Sequence, residues 1–255
     1  MASTDNASLT VVPLIGMPEV HPGDDLAALL WSAAQSSAAG LEAGDVVVVA
    51  QKIVSKAEGA RVSLASVEPS RMAREWAEAW NHDPRLVEVV LRESVRIVKM
   101  ARGLIVSETR HGFICANAGV DASNSGEEDM AILLPREPDR SAEQLRDSLG
   151  RLAGCDLAVI VADSFGRPWR QGVTQVAVGS AGLAPIVDLR GERDADGRTL
   201  HGTLIALADQ LADAADLVCG KSSRIPAAVV RNYRGPRREG SAKELLRPPE
   251  EDLFR

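Results

Sequence analysis

The sequence has few cysteines and no excess of positive charge. Its three cysteines, Cys115, Cys155 and Cys219, lie far apart and form no CxxC pair, which excludes a disulfide framework and a zinc knuckle. We therefore expect reduced, structural thiols. The net charge of -7 argues against a general nucleic-acid or anionic-membrane surface, because either would need a dense positive footprint. Anionic small molecules can still bind through local Arg and Lys side chains.

Long hydrophobic runs and targeting signals are also absent from the sequence. No uninterrupted apolar run approaches the roughly 18 residues of a membrane span, and the first residues, MASTDNAS, lack the basic and apolar blocks of a signal peptide. We expect a soluble, cytoplasmic protein with neither a membrane nor a nucleic-acid partner. The 255 residues, 45% of them hydrophobic, suffice for a sizeable core in one large domain or two modest ones.

Hydrophobic patterning predicts strands and helices in irregular order. Strands are expected at residues 9–14, 46–50, 95–98, 104–107, 112–116, 157–161, 173–178, 184–189 and 226–230. Helices are expected from a cap at Asp24 or Asp25 to near Gly40, at 70–80, at 85–93, at 141–152 with the capping box SAEQ at its start, and from about Leu200 with an apolar face that includes Ala215. This order predicts a mixed, strand-rich α+β fold rather than a doubly wound sheet.

The most informative stretch is ADSFGRPWRQG at residues 162–172, directly after the predicted strand 157–161. Open sheets usually present ligand-binding groups at the carboxyl ends of their strands, so Asp163 and Ser164 can meet a hard cation. The alternative is a capped turn in which Asp163 bonds only to neighbouring backbone amides. For one isolated Asp, that structural outcome is the commoner one.

Four basic side chains lie close to predicted strand ends. Arg167 and Arg170 surround the turn predicted at residues 166–168, and their two positive charges suit an anionic substrate. Lys52 and Lys56 follow the four-valine strand, where they can neutralise phosphate. Two surface lysines alone more often extend into solvent.

A second polar loop follows the predicted strand 112–116. Asp121 offers a hard oxygen ligand, and Asn124 offers an amide that can contact a carbonyl or a phosphate. With Asp163 and Ser164, this gives two separate loops with oxygen ligands, which is enough for magnesium or manganese bound with water and substrate phosphates. The alternative is that Asp121 and Asn124 only form Asx-turns.

Several familiar motifs do not fit. The GKS at residues 220–222 is not a P-loop, because Walker A needs a glycine where this chain has Ala215, a preceding strand and a following helix. No GxGxxG follows a strand, no GxSxG occurs, and the four histidines show no HExxH spacing. Rossmann-type dinucleotide binding, a serine nucleophile and a zinc hydrolase are therefore unsupported.

Together, the longer motifs resemble those of the coenzyme F420 glutamate ligase family over nearly the whole chain. In order, they are LIGMPE at 14–19, PGDDL at 22–26, QKIVSK at 51–56, NAGVD at 117–121 with Asn124, DSFGRPWR at 163–170, and the closing strand at Ile225-Pro226. The resemblance implies a GTP-dependent ligase that forms an amide between L-glutamate and the carboxylate of F420-0 through an acyl phosphate. A further, gamma-linked glutamate addition is implied to follow.

The resemblance also implies roles for individual residues. Asp121, Asp163 and Ser164 would ligate two divalent ions, Mg²⁺ or Mn²⁺, with K⁺ as a further candidate cofactor. From their position alone, Arg167 and Arg170 are candidates for holding the acidic acceptor or the incoming glutamate, and no protein nucleophile is required. The residues implied to contact GTP are Leu14, Ile15, Gly16, Met17, Gln51, Lys52, Lys56, Asn124, Cys219, Gly220, Lys221, Ser222, Ser223, Arg224, Ile225 and Pro226.

The same resemblance predicts the domain organisation and exposes one departure. It implies a homodimeric ligase domain at residues 1–245, made of two intertwined subdomains, and a tail at 246–255 similar to the junction with a nitroreductase-like domain in fused members. Lys221 stands where some members carry a glutamate that ligates metal. An ammonium group cannot coordinate a cation, so the second ion would be held differently and Lys221 can contact phosphate instead. A metal-dependent nucleotide phosphohydrolase and a non-catalytic nucleotide-binding regulator remain alternative functions.

Overall fold

The computed structural model describes residues 8–37, 40–122 and 129–253. In chain order, its main elements are β1 (Thr10–Pro13), α1 (Leu26–Ser36), β2 (Val46–Ala50), α2 (Gln51–Ala57), β3 (Arg61–Ser63), α3 (Arg71–Trp80), α4 (Pro84–Glu93), β4 (Ser94–Ala101), β5 (Leu104–Thr109), β6 (Ile114–Ala116), β7 (Met130–Ile132), α5 (Pro138–Ala153), β8 (Ala158–Arg167), β9 (Arg170–Ala181), β10 (Val187–Asp188), β11 (Leu204–Ile205), α6 (Leu207–Cys219) and β12 (Ala227–Arg231). Within this described part of the chain, no helix is both long and apolar enough to cross a membrane.

A five-stranded mixed sheet with the order β1-β12-β2-β8-β9 forms the centre of the fold. Only β2 and β8 are neighbouring parallel strands, with Ala50 opposite Ala162, and each of the other neighbouring pairs is antiparallel. Because β12 is antiparallel to both β1 and β2, the strands β1, β2 and β8 all run in one direction. All three therefore run toward one edge of the sheet, where β8 extends beyond the end of β2. The mixed sheet, the smaller sheets and the interspersed helices confirm the predicted α+β class.

Each face of this sheet carries its own apolar core. Successive side chains of a strand point to opposite faces, so Val47 and Val49 pack with Leu30 of α1 and Leu149 of α5 in one core. The alternate residues of β2 pack with Leu211 of α6 in the other core. Burial on both faces explains why β2 and the first half of β8 are unbroken apolar runs in the sequence.

The strand β9 lies at an edge of the sheet, and carboxylates cover part of that edge. Three of its backbone N–H groups donate to acidic side chains instead of to another strand, which satisfies donors that could otherwise pair with a foreign strand. The pairs are Gln175 N with Asp213 Oδ1 at 2.8 Å, Ala177 N with Asp209 Oδ1 at 2.8 Å, and Ser180 N with Asp139 Oδ1 at 3.0 Å. Burial raises the pKa of Asp209.

A smaller part of the molecule packs α3 and α4 against the antiparallel sheet β4-β5-β6. Trp76 and Trp80 are spaced i, i+4 on α3, and their rings lie 5.8 Å apart between centroids on one face of that helix. Both helices have a side-chain N-cap: Ser70 Oγ accepts from Ala73 N, and Asp83 Oδ1 accepts from Arg85 N. This part supplies the short turn that leads to Asp121.

The strand predicted at residues 157–161 is longer in the structure, and the turn predicted at residues 166–168 forms at the last of these residues and the next one. β8 continues through Asp163 and Ser164 to Arg167, and β9 pairs with it along this length, with Ser164 opposite Gln175. The reversal comes only at residues 168–169, where Trp169 has a φ of 59°. Asp163 and Ser164 are therefore strand residues held by a neighbouring strand, not members of a loop.

Three other predicted boundaries are wrong. α5 begins at Pro138 rather than at the capping box, because the fixed φ of a proline suits the first helical position, and Ser141 lies inside the first turn. α6 begins at Leu207 instead of near Leu200, since Leu204–Ile205 pairs with Val187–Asp188 as a short ribbon. That ribbon also leaves only the end of the predicted strand 184–189 in strand form.

Candidate functional site

A cavity of about 910 Å³ opens at the edge of the sheet where β1 and β2 end and β8 continues past them. α2 follows β2 directly, so Gln51 and Lys52 reach this edge, and the middle of β8 brings Asp163 and Ser164 to it. β12 is antiparallel to β2 and begins here. The chain just before it therefore lies at the same edge.

The cavity unites most of the predicted site residues. Those that line it are Met17, Gln51, Lys52, Lys56, Asp121, Asp163, Ser164, Cys219, Gly220, Lys221, Ser222, Arg224, Ile225 and Pro226. Those that do not line it are Leu14, which is buried in the core, and Ile15, Gly16, Ser223, Arg167 and Arg170. Asn124 lies outside the described residues.

Asp121 reaches the cavity from the smaller part of the molecule. Its backbone pairs with Ile132 in an isolated bridge, with both N···O distances below 3.0 Å. The preceding turn needs a left-handed backbone at Asn117, Ala118 and Gly119. A Cβ atom on Gly119 would lie 2.8 Å from Leu134, so only glycine fits this approach of the turn to the core. The turn fixes the direction of Asp121.

Two carboxylates and one ammonium group form the electrostatic centre of the cavity. Lys52 Nζ lies 2.6 Å from Asp121 Oδ2, and its charge also acts on Asp163. Burial raises the pKa of Asp163 to about 6, and the negative charge of Asp121 adds to this effect. A hydrogen bond from the Ser164 backbone N–H and the charges of Lys221 and Lys52 act in the opposite direction. The ionised form of Asp163 would therefore be stabilised by additional positive charge in the site.

The hydroxyl of Ser164 is held by a polar network that joins three elements. Gln175 Nε2, opposite on β9, donates to Ser164 Oγ at 2.7 Å and to Asp216 Oδ1 of α6 at 3.0 Å. Lys221, just beyond the end of α6, also donates to Ser164 Oγ. The three elements are thus cross-linked at the cavity wall.

The two remaining predicted contacts on α2 are engaged by protein groups. Gln51 is buried, and its Oε1 accepts a hydrogen bond of 2.9 Å from Ser55. Lys56 is also buried and pairs with Glu19 from the chain after β1. The expectation that lone lysines extend into solvent is therefore wrong for Lys52 and Lys56, because acidic side chains from distant segments meet both ammonium groups.

The thiols near the cavity are not activated. Burial raises the pKa of Cys115 to about 12 and that of Cys219 to about 11, with nearby Asp163 and Asp216 adding to the respective effects. Both thiols therefore stay protonated near neutral pH, and a thiol rather than a thiolate is a weak nucleophile. This agrees with the structural role predicted for the cysteines.

Residues 14–232 match the protein family described as F420-0:Gamma-glutamyl ligase. The chain belongs to this family. Coenzyme F420:L-glutamate ligase of Methanothermobacter thermautotrophicus is 48% identical over 250 residues, which cover 97% of this chain and 99% of that protein. The protein of the same name from Methanopyrus kandleri is 44% identical over 97% of this chain and 98% of its own length. That from Methanocaldococcus jannaschii is 41% identical over 84% and 86%, respectively.

The donor set in this family member fits one hard divalent ion better than two. Among the residues described, no group of three or more His, Cys, Asp and Glu side chains is arranged to hold a metal ion. Asp121 and Asp163 nevertheless suit magnesium or manganese, which proteins often hold by one or two carboxylates with water and substrate phosphates. The raised pKa of Asp163 indicates that positive charge would be favourable here. The Ser164 oxygen, in contrast, already accepts hydrogen bonds from Gln175 and Lys221.

Three polar residues that line the cavity were not singled out from the sequence. Glu19 lies inside the quoted motif at 14–19 without an assigned role, and its contact with Lys56 spans 37 positions of the chain. Gln175 faces Ser164 only because the two strands form a hairpin, so recognising that hairpin would have found it. Asp216 lies on a helix that was predicted, one turn before Cys219. No local pattern points to its hydrogen bond with Gln175.

Proposed function

We propose that this chain is a coenzyme F420:L-glutamate ligase that joins L-glutamate to the carboxylate of F420-0 with GTP as the phosphoryl donor. The observation that carries the proposal is the cavity at the sheet edge, where three lysines and four carboxylates converge from distant segments. Similarity over nearly the full length to proteins of that name, at 48% and 44% identity, supports the proposed substrates F420-0 and L-glutamate. The reaction needs this mixture of charges, because two anions must be brought together before an amide can form.

The proposed chemistry has two steps. An oxygen of the F420-0 carboxylate attacks the γ-phosphorus of GTP, the bond to GDP breaks, and an acyl phosphate forms. The amine of glutamate then attacks the acyl carbon, phosphate leaves with the C–O electron pair, and the nitrogen loses a proton. Activation is required because a carboxylate alone is a poor electrophile.

The side chains act mainly by positioning and by neutralising charge, as in other phosphoryl transfers. Lys52 and Lys221 line the cavity, their charges act on Asp163, and they can attract phosphate and carboxylate oxygens. A divalent ion held by Asp121 and Asp163 would neutralise phosphate charge when bound. A second ion at Ser164, which the family resemblance implies, would have to compete with Lys221. Cys115 and Cys219 are protonated, and the chemistry needs no protein nucleophile.

Three further features belong to the proposal. A gamma-linked second glutamate would be added by the same two steps, with the first product as the new acceptor. A homodimer is proposed as the working form, and the cytoplasm as its location. The nucleotide contacts are proposed at the cavity-lining part of the predicted set, centred on Lys52, Lys56 and the segment 219–226.

Mass spectrometry of the acceptor tests the function. Purified protein is incubated with F420-0, GTP, L-glutamate and Mn²⁺, and the wild type is compared with Asp163→Asn and with the surface control Asp147→Asn. We expect the acceptor mass to rise by one or more glutamyl residues in step with GDP release, for the wild type and the control only. GDP release that needs no glutamate would instead indicate a phosphohydrolase. Nucleotide binding without turnover would indicate a regulator.

A further inference from the structure

The Ser164 hydroxyl has no oxygen lone pair left for a metal ion. A serine hydroxyl has one O–H donor and two acceptor lone pairs. One lone pair accepts from Gln175 Nε2 at 2.7 Å, and the other accepts from the ammonium group of Lys221. A cation could bind this oxygen only after displacing one of these two donors. The donor that remains would repel the cation, because the ammonium group is positively charged and the amide N–H is partially positive.

Gln175 is itself fixed, so it cannot easily yield its place. Its amide donates a second hydrogen bond, of 3.0 Å, to Asp216, and its backbone N–H donates to Asp213. Both aspartates belong to α6, whose next residues lead to Lys221. The side chain that holds Ser164 and the backbone that carries Lys221 are thus tied to the same helix.

Lys221 has N–H donors that Ser164 does not use, and the nearby carboxylate of Asp163 attracts its positive charge. An ammonium group has three N–H bonds, of which the contact with Ser164 uses one. Lys221 also lines the cavity, and its charge acts on the carboxylate of Asp163. The remaining N–H bonds are available to anionic oxygens that enter the cavity, and phosphate is such a ligand.

We propose that Lys221 is a fixed cation beside Ser164 that contacts the triphosphate of the nucleotide and excludes a second divalent ion, so that each chain binds one such ion, at Asp121 and Asp163. The inference rests on the proposed function for the identity of the nucleotide. Gln175 is the positioning residue that keeps Ser164 turned toward Lys221.

Counting bound Mn²⁺ tests the exclusion. Protein saturated with a non-hydrolysable GTP analogue is titrated with Mn²⁺, and free Mn²⁺ is measured by electron paramagnetic resonance. We expect one tightly bound ion per chain for the wild type and two for Lys221→Glu, which replaces the ammonium group by an oxygen ligand. Lys99→Glu, on an exposed strand position outside the cavity, makes the same charge change and should stay at one. Two ions in the wild type, or one in both the wild type and Lys221→Glu, would overturn the proposal.

Nucleotide affinity tests the phosphate contact. Lys221→Gln keeps a side chain of similar reach but loses the charge, so the Kd of the same analogue, measured by calorimetry, should rise roughly tenfold. A Kd equal to that of the wild type would overturn the contact. Ligation is assayed in parallel: a wild type that ligates while binding two ions contradicts only this inference, whereas one that binds a single ion and never ligates contradicts the proposed function.

Discussion

The base and the tip of the β8-β9 hairpin are only a few residues apart, but the base lines the cavity and the tip is exposed to solvent. At the base, Asp163 and Ser164 line the cavity, and Gln175 on the opposite strand braces them. At the tip, the side chain of Trp169 is 80% exposed, and Arg167 donates to the Gln171 carbonyl at 2.7 Å within the hairpin itself. The same stretch of sequence thus contains a site and a surface.

Strand geometry explains this difference. A strand advances about 3.3 Å per residue, so four residues of β8 separate Asp163 from Arg167 by roughly 13 Å. In contrast, Lys221 contacts Ser164 across 57 positions of the chain. Proximity in sequence therefore gives too much importance to the charged residues at the tip. It gives too little to residues such as Lys221, which long-range folding brings to the base. Four predictions test this contrast.

Loss of Lys52 should cause the largest change in activity. Lys52→Met removes the ammonium group 2.6 Å from Asp121 while keeping the apolar stem, so two carboxylates face each other with less compensation. We expect kcat/KM for ligation to fall roughly 100-fold, about 2.7 kcal/mol of transition-state stabilisation, measured by GDP release in the presence of glutamate. Lys99→Met removes the same group from an exposed position outside the cavity and should leave kcat/KM unchanged. A similar fall in both variants would refute a specific role for Lys52.

Asp209 tests the base of the hairpin as a structural unit. Asp209→Ala removes the acceptor of the Ala177 backbone N–H, which is then left unpaired in a largely buried place. An unsatisfied buried donor costs about 1–3 kcal/mol, so the free energy of unfolding in urea should fall by about that amount. The control Asp147→Ala, at an exposed helix position, should change it far less. Equal stability of Asp209→Ala and wild type would mean that water replaces the carboxylate at this edge.

The sequence predicted the sheet better than it predicted the hairpin. β2 and the first half of β8 are runs of buried apolar residues, and such runs can be recognised without knowing their partners. The second half of β8 is polar, from Asp163 to Arg167, and it stays extended because β9 pairs with it. Gly166 and Pro168 correctly indicated a nearby turn, which forms at residues 168–169, but local turn preferences carry no information about the cross-strand pairing that extends β8 up to it.

The candidate site was predictable in its parts but not in its contacts. Family motifs and strand ends pointed to Asp121, Asp163 and Lys52, and all three line one cavity. The pairing of Lys56 with Glu19 and the bracing of Ser164 by Gln175 depend on long-range packing, which no local pattern encodes. Lys221 could be recognised from the sequence as a departure from the family pattern. Its hydrogen bond to Ser164 could not be predicted, because it too depends on long-range packing.

The raised pKa of Asp163 should make the metal-free protein less stable as the pH rises. Its pKa is about 6 in the folded protein and near 3.8 in the unfolded chain, so the folded state binds more protons between these values. Its contribution to the free energy of unfolding therefore falls by about 1–2 kcal/mol from pH 4 to pH 6, allowing for partial exposure. Asp163→Asn should lack this fall, and urea unfolding in chelator-treated buffer at both pH values measures it. Parallel pH profiles for wild type and variant would contradict a titrating Asp163.

The tip of the hairpin should give the smallest effect. Arg170 is exposed and does not line the cavity, so Arg170→Ala removes only a longer-range attraction for anionic substrates, which salt screens. We expect the KM for F420-0 or for glutamate to rise about two- to threefold at low ionic strength, with kcat unchanged and the difference vanishing in high salt. Arg170→Lys keeps the charge and should restore the KM. An effect on kcat as large as that of Lys52→Met would show that the bound acceptor extends from the base to the tip and that both belong to one site. Unchanged KM values for both substrates would remove Arg170 from the site altogether.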